Sequence, residues 1–335
     1  MTVRKVSPML ASPAGTLPPL GGWTIEPKWD GVRVVAEVTK TRVHLWSRNG
    51  IDKQSQFPDV AHALSAVQKE HGPVVLDGEL VALDKAGKPL RFQALQQRGQ
   101  TAARTAFVAF DCLFADARAL IDLPWTARRA ALEAVVARST KAIVRRGDSF
   151  VCGSAGARRL LAAATSEGWE GLILKHTESL YLPGKRSPWW RKVKLEREQE
   201  FVIGGYTLPG AGTQRTHFGA LLVGYYTSDG ELRYAGKVGT GYTHATLALL
   251  ARKFASLKRT KCPFVAVPRE REKSMWLKPS LVAQIRYNEM TESGLLRQPT
   301  FLGLRDDKAA KDVRLEASTS AAAVRDLLRC GRTDA

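Results

Sequence analysis

Cysteine is scarce and scattered. Cys112, Cys152, Cys262 and Cys330 are spread over 335 positions, with no pair at C-x-x-C spacing. That excludes a zinc finger or ribbon, and so few thiols in so long a chain exclude a disulfide framework. Long apolar runs are missing too. None approaches the ~20 residues of a membrane span, and the opening MTVRKVSPMLASPAGTLPPL lacks the unbroken apolar core of a signal peptide. The expectation is a reducing, cytoplasmic setting with no membrane. Acid is the third shortage: 32 Asp and Glu stand against 51 Lys and Arg, a net charge of +19. Such a surplus favours a polyanionic partner, nucleic acid ahead of an anionic membrane.

What is present is a chain long enough for two cores. Residues 1–20 are rich in Pro, Ala and Gly and read as an extended arm. TIEPKW, VRVVAEVT, VHLWSRNG, VVLDGELVAL, TAFVAFDCLF, GLILKH and RKVKL read as strands. Asp30-Gly31 is a hairpin-type turn signal between the first two. PDVAHALSAVQKE, TARRAALEAVVAR and GARRLLAAATSEG have helical period, the last with Ser154 as cap and Gly168 as stop. Hairpin signals mixed with helices predict an α+β domain over 21–197. The charged run KLEREQE, Lys194 to Glu200, reads as a hinge. Beyond it, FVIGGYT, GALLVGYYT, ELRYAGKVG and LVAQIRYNEM are β-like, with a turn at Ser228-Asp229-Gly230 and one helix, TLALLARKFASL. That composition suits a small OB-type β-barrel over 198–310. Residues 311–335 form a tail, with AAAVRDLLR as a short helix.

Five constellations carry chemistry. Lys28 ends a strand in Glu26-Pro27-Lys28-Trp29-Asp30-Gly31-Val32-Arg33; a lysine held there projects its amine into whatever the strand lines, and becomes a nucleophile only if its pKa falls. Arg48, in Ser47-Arg48-Asn49-Gly50, suits a phosphate or a ribose hydroxyl. Asp77 and Glu79 place two carboxylates inside an apolar strand, costly unless they meet cations or ligand hydroxyls. Glu170 opens the apolar strand of Glu170-Gly171-Leu172-Ile173-Leu174-Lys175 and has the chemistry to help hold a divalent metal. Lys192 and Lys194 alternate along a strand and share a face; two ammonium groups so placed fit an anion such as a triphosphate.

In this order, with Phe110-Asp111 between the third and fourth, these motifs resemble those of the nucleotidyltransferases that form a lysyl-nucleotide. Arg297-Gln298-Pro299-Thr300-Phe301-Leu302-Gly303-Leu304-Arg305-Asp306-Asp307-Lys308 is similar to the last motif of ATP-dependent DNA ligases, and the wording from Pro8 to Lys308 is most similar to the ligase module of bacterial end-joining ligases of the ligase D type. The resemblance implies an adenylation domain followed by an OB-fold domain. It implies ATP as co-substrate, Mg²⁺ or Mn²⁺ as metal, and duplex DNA with a nick or broken ends as partner. A Ku-type end-binding protein would be a further partner, and the chain would be a monomer at the nucleoid. It also assigns roles. Lys28 would be adenylated. Glu26 would accept from the adenine amino group and Phe110 stack on the ring. Arg33 and Glu79 would hold the ribose and nucleotide, and Arg48 the ribose or the nick phosphate. Arg186, in Gly184-Lys185-Arg186, would bind nucleotide. Lys192 and Lys194 would contact the α-phosphate and lower the Lys28 pKa. Glu79 and Glu170 would place the metal, and Arg297, Arg305 and Lys308 would orient the pyrophosphate.

Only twenty-seven residues precede Lys28, too few for the helical DNA-binding domain of many larger ligases, so a minimal enzyme that grips the DNA backbone by charge is expected, its sealing falling steeply with salt. The rivals are an RNA ligase or capping-type nucleotidyltransferase of the same superfamily, and a non-catalytic OB-fold nucleic-acid-binding protein.

Overall fold

The computed structural model describes residues 5–14, 21–85, 87–96, 103–137, 143–166, 169–195, 198–210, 217–268, 270 and 272–316. They divide into two compact units, one built from residues up to Glu196 and the other Arg197–Glu316. The first runs through β1 (Leu10–Pro13), β2 (Trp23–Lys28), β3 (Val32–Val38), β4 (Val43–Ser47), α1 (Pro58–His71), β5 (Val74–Leu83), α2 (Phe92–Gln96) and β6 (Arg104–Ala115). It continues through β7 (Arg118–Ala119), α3 (Trp125–Ala137), β8 (Val144–Arg146), β9 (Phe150–Val151), α4 (Ala155–Ser166), β10 (Gly171–His176) and β11 (Arg186–Lys194).

Two sheets organise this unit, one ordered β1-β11-β10-β2-β9 and the other β4-β3-β5-β6-β7, with β8 beside β6. Alternation sets the layers. In β3, Val32, Val34, Ala36 and Val38 face a core shared with Leu64 of α1 and Leu132 of α3. In the other sheet, Ile25, Leu172, Leu174 and Val193 pack on Leu160 and Leu161 of α4. Helices therefore cover the outer faces. The inner faces meet through a small core of Met9, Val35, Val75, Leu113, Phe114, Tyr181 and Trp190, and a second apolar cluster of Val81, Leu83, Ala106 and Val108 with Trp29 lies further along the β5–β6 pair. The arm docks by adding β1 in parallel to β11. Ser154 caps α4 as expected, its Oγ accepting from the Ala157 amide at 3.1 Å; Gly168 lies outside the described residues.

Asp30-Gly31 does not make a hairpin. β2 pairs with β10 and β9, whereas β3 pairs with β4 and β5, so the dipeptide carries the chain from one sheet to the other. Gly31 is needed for a close approach: a Cβ there would sit 2.0 Å from the Leu80 carbonyl oxygen.

The second unit contains β12 (Glu198–Thr207), β13 (Leu221–Tyr226), β14 (Leu232–Val238), α5 (His244–Ala255), β15 (Lys258–Arg259), β16 (Ser274–Arg286), β17 (Glu289–Met290), β18 (Leu296–Arg297) and β19 (Thr300–Arg305). Its main sheet is ordered β14-β13-β12-β16-β15, and β19 also pairs with β16. Register shifts at Ile203/Gly205, Val223/Gly224 and Gln284/Ile285 bend the strands. The bent sheet wraps Phe201, Leu222, Ala235 and Val282, joined by Leu247, Leu250 and Phe254 of α5. This is the OB-type architecture read from the sequence, in an overall α+β chain. Part of KLEREQE, read as a hinge, belongs to strands instead. Lys194 ends β11 and Glu198 already lies buried in β12, its Oε1 accepting from Arg286 Nε at 2.8 Å. The helix expected at AAAVRDLLR lies outside the described residues.

Candidate active site

The space between the two sheets of the first unit gathers most of the expected residues. On β2, Glu26 and Lys28 are two apart and face inward, because Ile25 and Trp23 are taken by the outer core. The registers Glu26↔Ile173, Lys28↔Gly171, Ile173↔Lys192, Lys175↔Trp190 and Gly171↔Lys194 put Lys175, Trp190, Lys192 and Lys194 on the same face. The opposing sheet offers Arg33 on β3, directly across from Glu79 on β5, and Phe110 on β6.

Lys28 is half-buried, and its ammonium makes an ion pair with the buried carboxylate of Glu170. Burial alone would push this amine's pKa down. The Glu170 carboxylate opposes burial, and despite the nearby Lys194 the Lys28 pKa stands above the usual lysine value. Lys194 does act to lower it, as expected, but the net shift is upward. Burial is the largest single influence, but the attraction and hydrogen bond of Glu170, with the Asp30 carboxylate, together exceed burial and the like charge of Lys194.

Glu26 is buried beside Lys175, whose Nζ donates to its Oε2 at 2.8 Å. The other carboxylate oxygen, Oε1, is buried without a hydrogen-bond partner. Burial raises the Glu26 pKa and lowers that of Lys175, since each charged form loses its water; their mutual attraction opposes both shifts without cancelling them. Lys175 Nζ also donates to the Phe110 carbonyl at 3.0 Å and lies 4.7 and 4.3 Å from the centroids of the Phe110 and Trp190 rings. Phe110 and Trp190 meet edge to face at 6.5 Å, and the Arg33 guanidinium lies 5.0 Å from the Phe110 centroid. Arg33 grips Asp77 with Nε and Nη2, at 3.0 and 2.6 Å, and Tyr181 donates its hydroxyl to the same carboxylate at 2.6 Å. That settles how β5 tolerates Asp77: a bidentate cation and a phenol neutralise it.

Arg48 is half-buried in a turn closed by the Gly50 amide donating to the Ser47 carbonyl at 2.7 Å. Arg186 is exposed at the start of β11, and its Nη1 donates to the Ala11 carbonyl of the docked arm. Arg297, Arg305 and Lys308 belong to the second unit, where they pair with Glu289 at 2.6 Å, with Asp307 at 2.7 Å and with Glu200 at 3.2 Å. Glu79 and Glu170 are buried. Among the described residues no three His, Cys, Asp or Glu side chains cluster as a metal cage.

Sequence reading gave no role to Lys175, Trp190, Tyr181 or Arg128. Arg128 is fully buried and donates from Nε and Nη2 to Asp111 at 2.8 and 3.0 Å. A signal existed: Arg128 stands four residues before Leu132, on the buried stripe of its helix, where a solvated arginine does not fit. Tyr181 lies outside any regular element and carried no such signal.

Comparison with known proteins agrees with this arrangement. The family model for the ATP dependent DNA ligase domain matches residues 8–194, and that for the ATP dependent DNA ligase C terminal region matches 214–308. The multifunctional non-homologous end joining protein LigD of Pseudomonas aeruginosa is 38% identical over 317 residues, 92% of this chain and 36% of that protein. The LigD of Mycobacterium tuberculosis is 39% identical over 312 residues, 92% of this chain and 39% of its own length. The chain thus spans well under half of these curated relatives. A solved mycobacterial DNA ligase D complexed with ATP and MES is 39% identical with a TM-score of 0.67, covering 93% of this chain and 98% of that one. With both family models matched in order, and the lysine, carboxylates and paired lysines gathered between two sheets, the chain belongs to the ATP-dependent DNA ligases.

Proposed function

We propose that the inter-sheet space takes the adenosine of ATP between Phe110 and Glu26, and that Lys28 receives the AMP and passes it to the 5′-phosphate of a nick or break in duplex DNA. The observation that carries this reading is the buried, unpartnered Glu26 Oε1 beside Lys28 on one strand face. An acceptor so placed costs roughly 1–3 kcal/mol until a donor meets it. The adenine amino group is such a donor, with the Phe110 ring available for stacking and the Lys28 amine one strand step away toward the phosphates.

In the first step the Lys28–Glu170 pair must break and the ammonium must lose a proton, since only the free amine attacks the α-phosphorus. Pyrophosphate leaves in line. Lys192 and Lys194, on the same face, meet the charge of the phosphates, while Arg33 and Glu79 hold the ribose side. Arg48 takes the ribose or the nick phosphate. Arg186 joins the nucleotide site on leaving the Ala11 carbonyl, and Arg297, Arg305 and Lys308 orient the pyrophosphate. The DNA 5′-phosphate then attacks the lysyl-AMP, and the 3′-hydroxyl attacks the adenylated end to release AMP. Glu79 and Glu170 supply two carboxylates, which fits Mg²⁺ or Mn²⁺ held largely by phosphate oxygens and water rather than by a protein cage. Such an ion, when bound, draws charge from the phosphate oxygens.

Similarity to proteins named for non-homologous end joining supports a role in double-strand break repair; a monomer at the bacterial nucleoid with a Ku-type end-binding partner completes the proposal on the family resemblance alone. The central test is a covalent adduct with α-labelled ATP and Mg²⁺. Wild type labels and Lys28→Ala does not. Nicked duplex DNA should be sealed in preference to nicked RNA, and ATP should label in preference to GTP; an unlabelled wild type refutes the reading.

A further inference from the structure

Lys175 is a buried cation in the site that the reaction scheme leaves unused. It lies inside β10 at 1% exposure, and it has four neighbours that do matter: the Glu26 carboxylate, the Phe110 carbonyl, and the Phe110 and Trp190 rings. An ammonium is a donor and never an acceptor. Its bond to Glu26 Oε2 holds the carboxylate in one rotation and leaves Oε1 as the atom still seeking a partner. Its bond to the Phe110 carbonyl ties the strand carrying the stacking ring to the same point.

We propose that Lys175 is a positioning residue that makes Glu26 an acceptor-only group aimed at the purine 6-position, and so selects a 6-amino over a 6-oxo purine nucleotide. The inference rests on the reading of Glu26 as the adenine acceptor and adds the residue that orients it. A carboxylate oxygen accepts from the 6-amino group of ATP and opposes the carbonyl oxygen of ITP or GTP. A carboxylate released from Lys175 is free to turn or to take up a proton, and in its protonated form it donates to a 6-oxo group. Discrimination would then fall, although no atom that touches the nucleotide has been changed.

The experiment is competitive self-labelling, with ATP and ITP in one tube carrying different radioisotopes at the α-phosphate, so that the AMP and IMP adducts of Lys28 are counted separately. Wild type forms the AMP adduct in large excess. Lys175→Met lowers the AMP-to-IMP ratio by about tenfold or more, the effect of losing one oriented hydrogen bond. Glu26→Gln makes a sharper arm. With Lys175 present, the ammonium takes the amide oxygen and turns the amide nitrogen toward the base, so the preference reverses toward ITP. In the double variant Glu26→Gln/Lys175→Met the amide is free to flip, and the reversal is lost. The double variant removes both buried charges, so it carries the test should Lys175→Met fail to fold. Equal loss of both adducts with an unchanged ratio in Lys175→Met, or the same reversed ratio in Glu26→Gln with and without Lys175, overturns the proposal. Indifference of wild type to the two nucleotides, or full discrimination by Glu26→Ala, instead overturns the adenine reading of Glu26.

Discussion

Asp111 follows the residue proposed to stack on adenine, and its partner Arg128 is buried on α3 with no exposed surface. All of its bonds are internal: Nε and Nη2 to Asp111, and Nη1 to the carbonyls of Leu123 and Ser179 at 2.7 Å each. Removing one member strands the other in a dry core. Arg128→Met should therefore cost about 3–5 kcal/mol in urea unfolding, while the double variant Arg128→Met/Asp111→Asn should recover most of it; additive losses would show that the two do not form a unit. Cys112, the next residue, bears on alkaline stability. Burial, and after it the Asp111 carboxylate, push its thiol up to about 12 from an ordinary value near 9. The folded thiol keeps a proton that the unfolded one gives up above about pH 9. Stability from this group is thus full below that pH and lost as pH rises toward 12, by at most about 1.4 kcal/mol per pH unit. Wild-type urea midpoints should fall more steeply between pH 8.5 and 10 than those of Cys112→Ala. Equal slopes would place the alkaline loss elsewhere.

The element that holds the nucleophile depends on backbones brought unusually close. Gly171 opens β10 opposite Lys28 on one side and Lys194 on the other. A Cβ at Gly171 would lie 2.2 Å from the Val193 carbonyl oxygen, so β10 and β11 could not keep their spacing. Gly171→Ala should cost about 1–3 kcal/mol and slow adduct formation by up to a hundredfold in the protein that remains folded, because sub-ångström placement governs attack. Gly230→Ala provides the contrast. Gly230 has a φ of +79° in the β13–β14 turn with open space around it, and that change should lower stability alone; a matching loss of adduct there would remove the case for spacing. The strands themselves were legible because period-two apolar residues mark them, and the motif order marked the site. The pairing of β2 was not legible. Asp-Gly states only that the chain turns, whereas the partner of β2 is β10, far along the chain, and nothing local encodes that choice. The net direction of the Lys28 pKa was not legible for a related reason: Lys194 acts as expected, but the contact of Glu170 with Lys28 depends on the β2–β10 pairing, which nothing local encodes.

At the scale of the whole molecule, the reaction proposed here needs groups from two separate units. Lys28 belongs to the first, and Arg305 and Lys308 belong to the second. Within the second unit both cations are already paired, Arg305 with Asp307 and Lys308 with Glu200, so each is held in a defined orientation by its carboxylate. Charge placed on departing pyrophosphate is useful only while a triphosphate is being cleaved. Once AMP is on the lysine or on the DNA, no pyrophosphate remains to be stabilised. Neutralising these cations should therefore damage one step of three. Arg305→Gln, combined with Asp307→Asn so that no buried carboxylate is stranded, and Lys308→Ala should each slow Lys28–AMP formation by tenfold or more. Both should leave sealing of a nick already carrying a 5′-adenylate close to wild type. Single-turnover assays of the two reactions separate the outcomes. A parallel loss in both would mean that these residues grip DNA or support the fold, because neither of those roles distinguishes the step in which pyrophosphate departs.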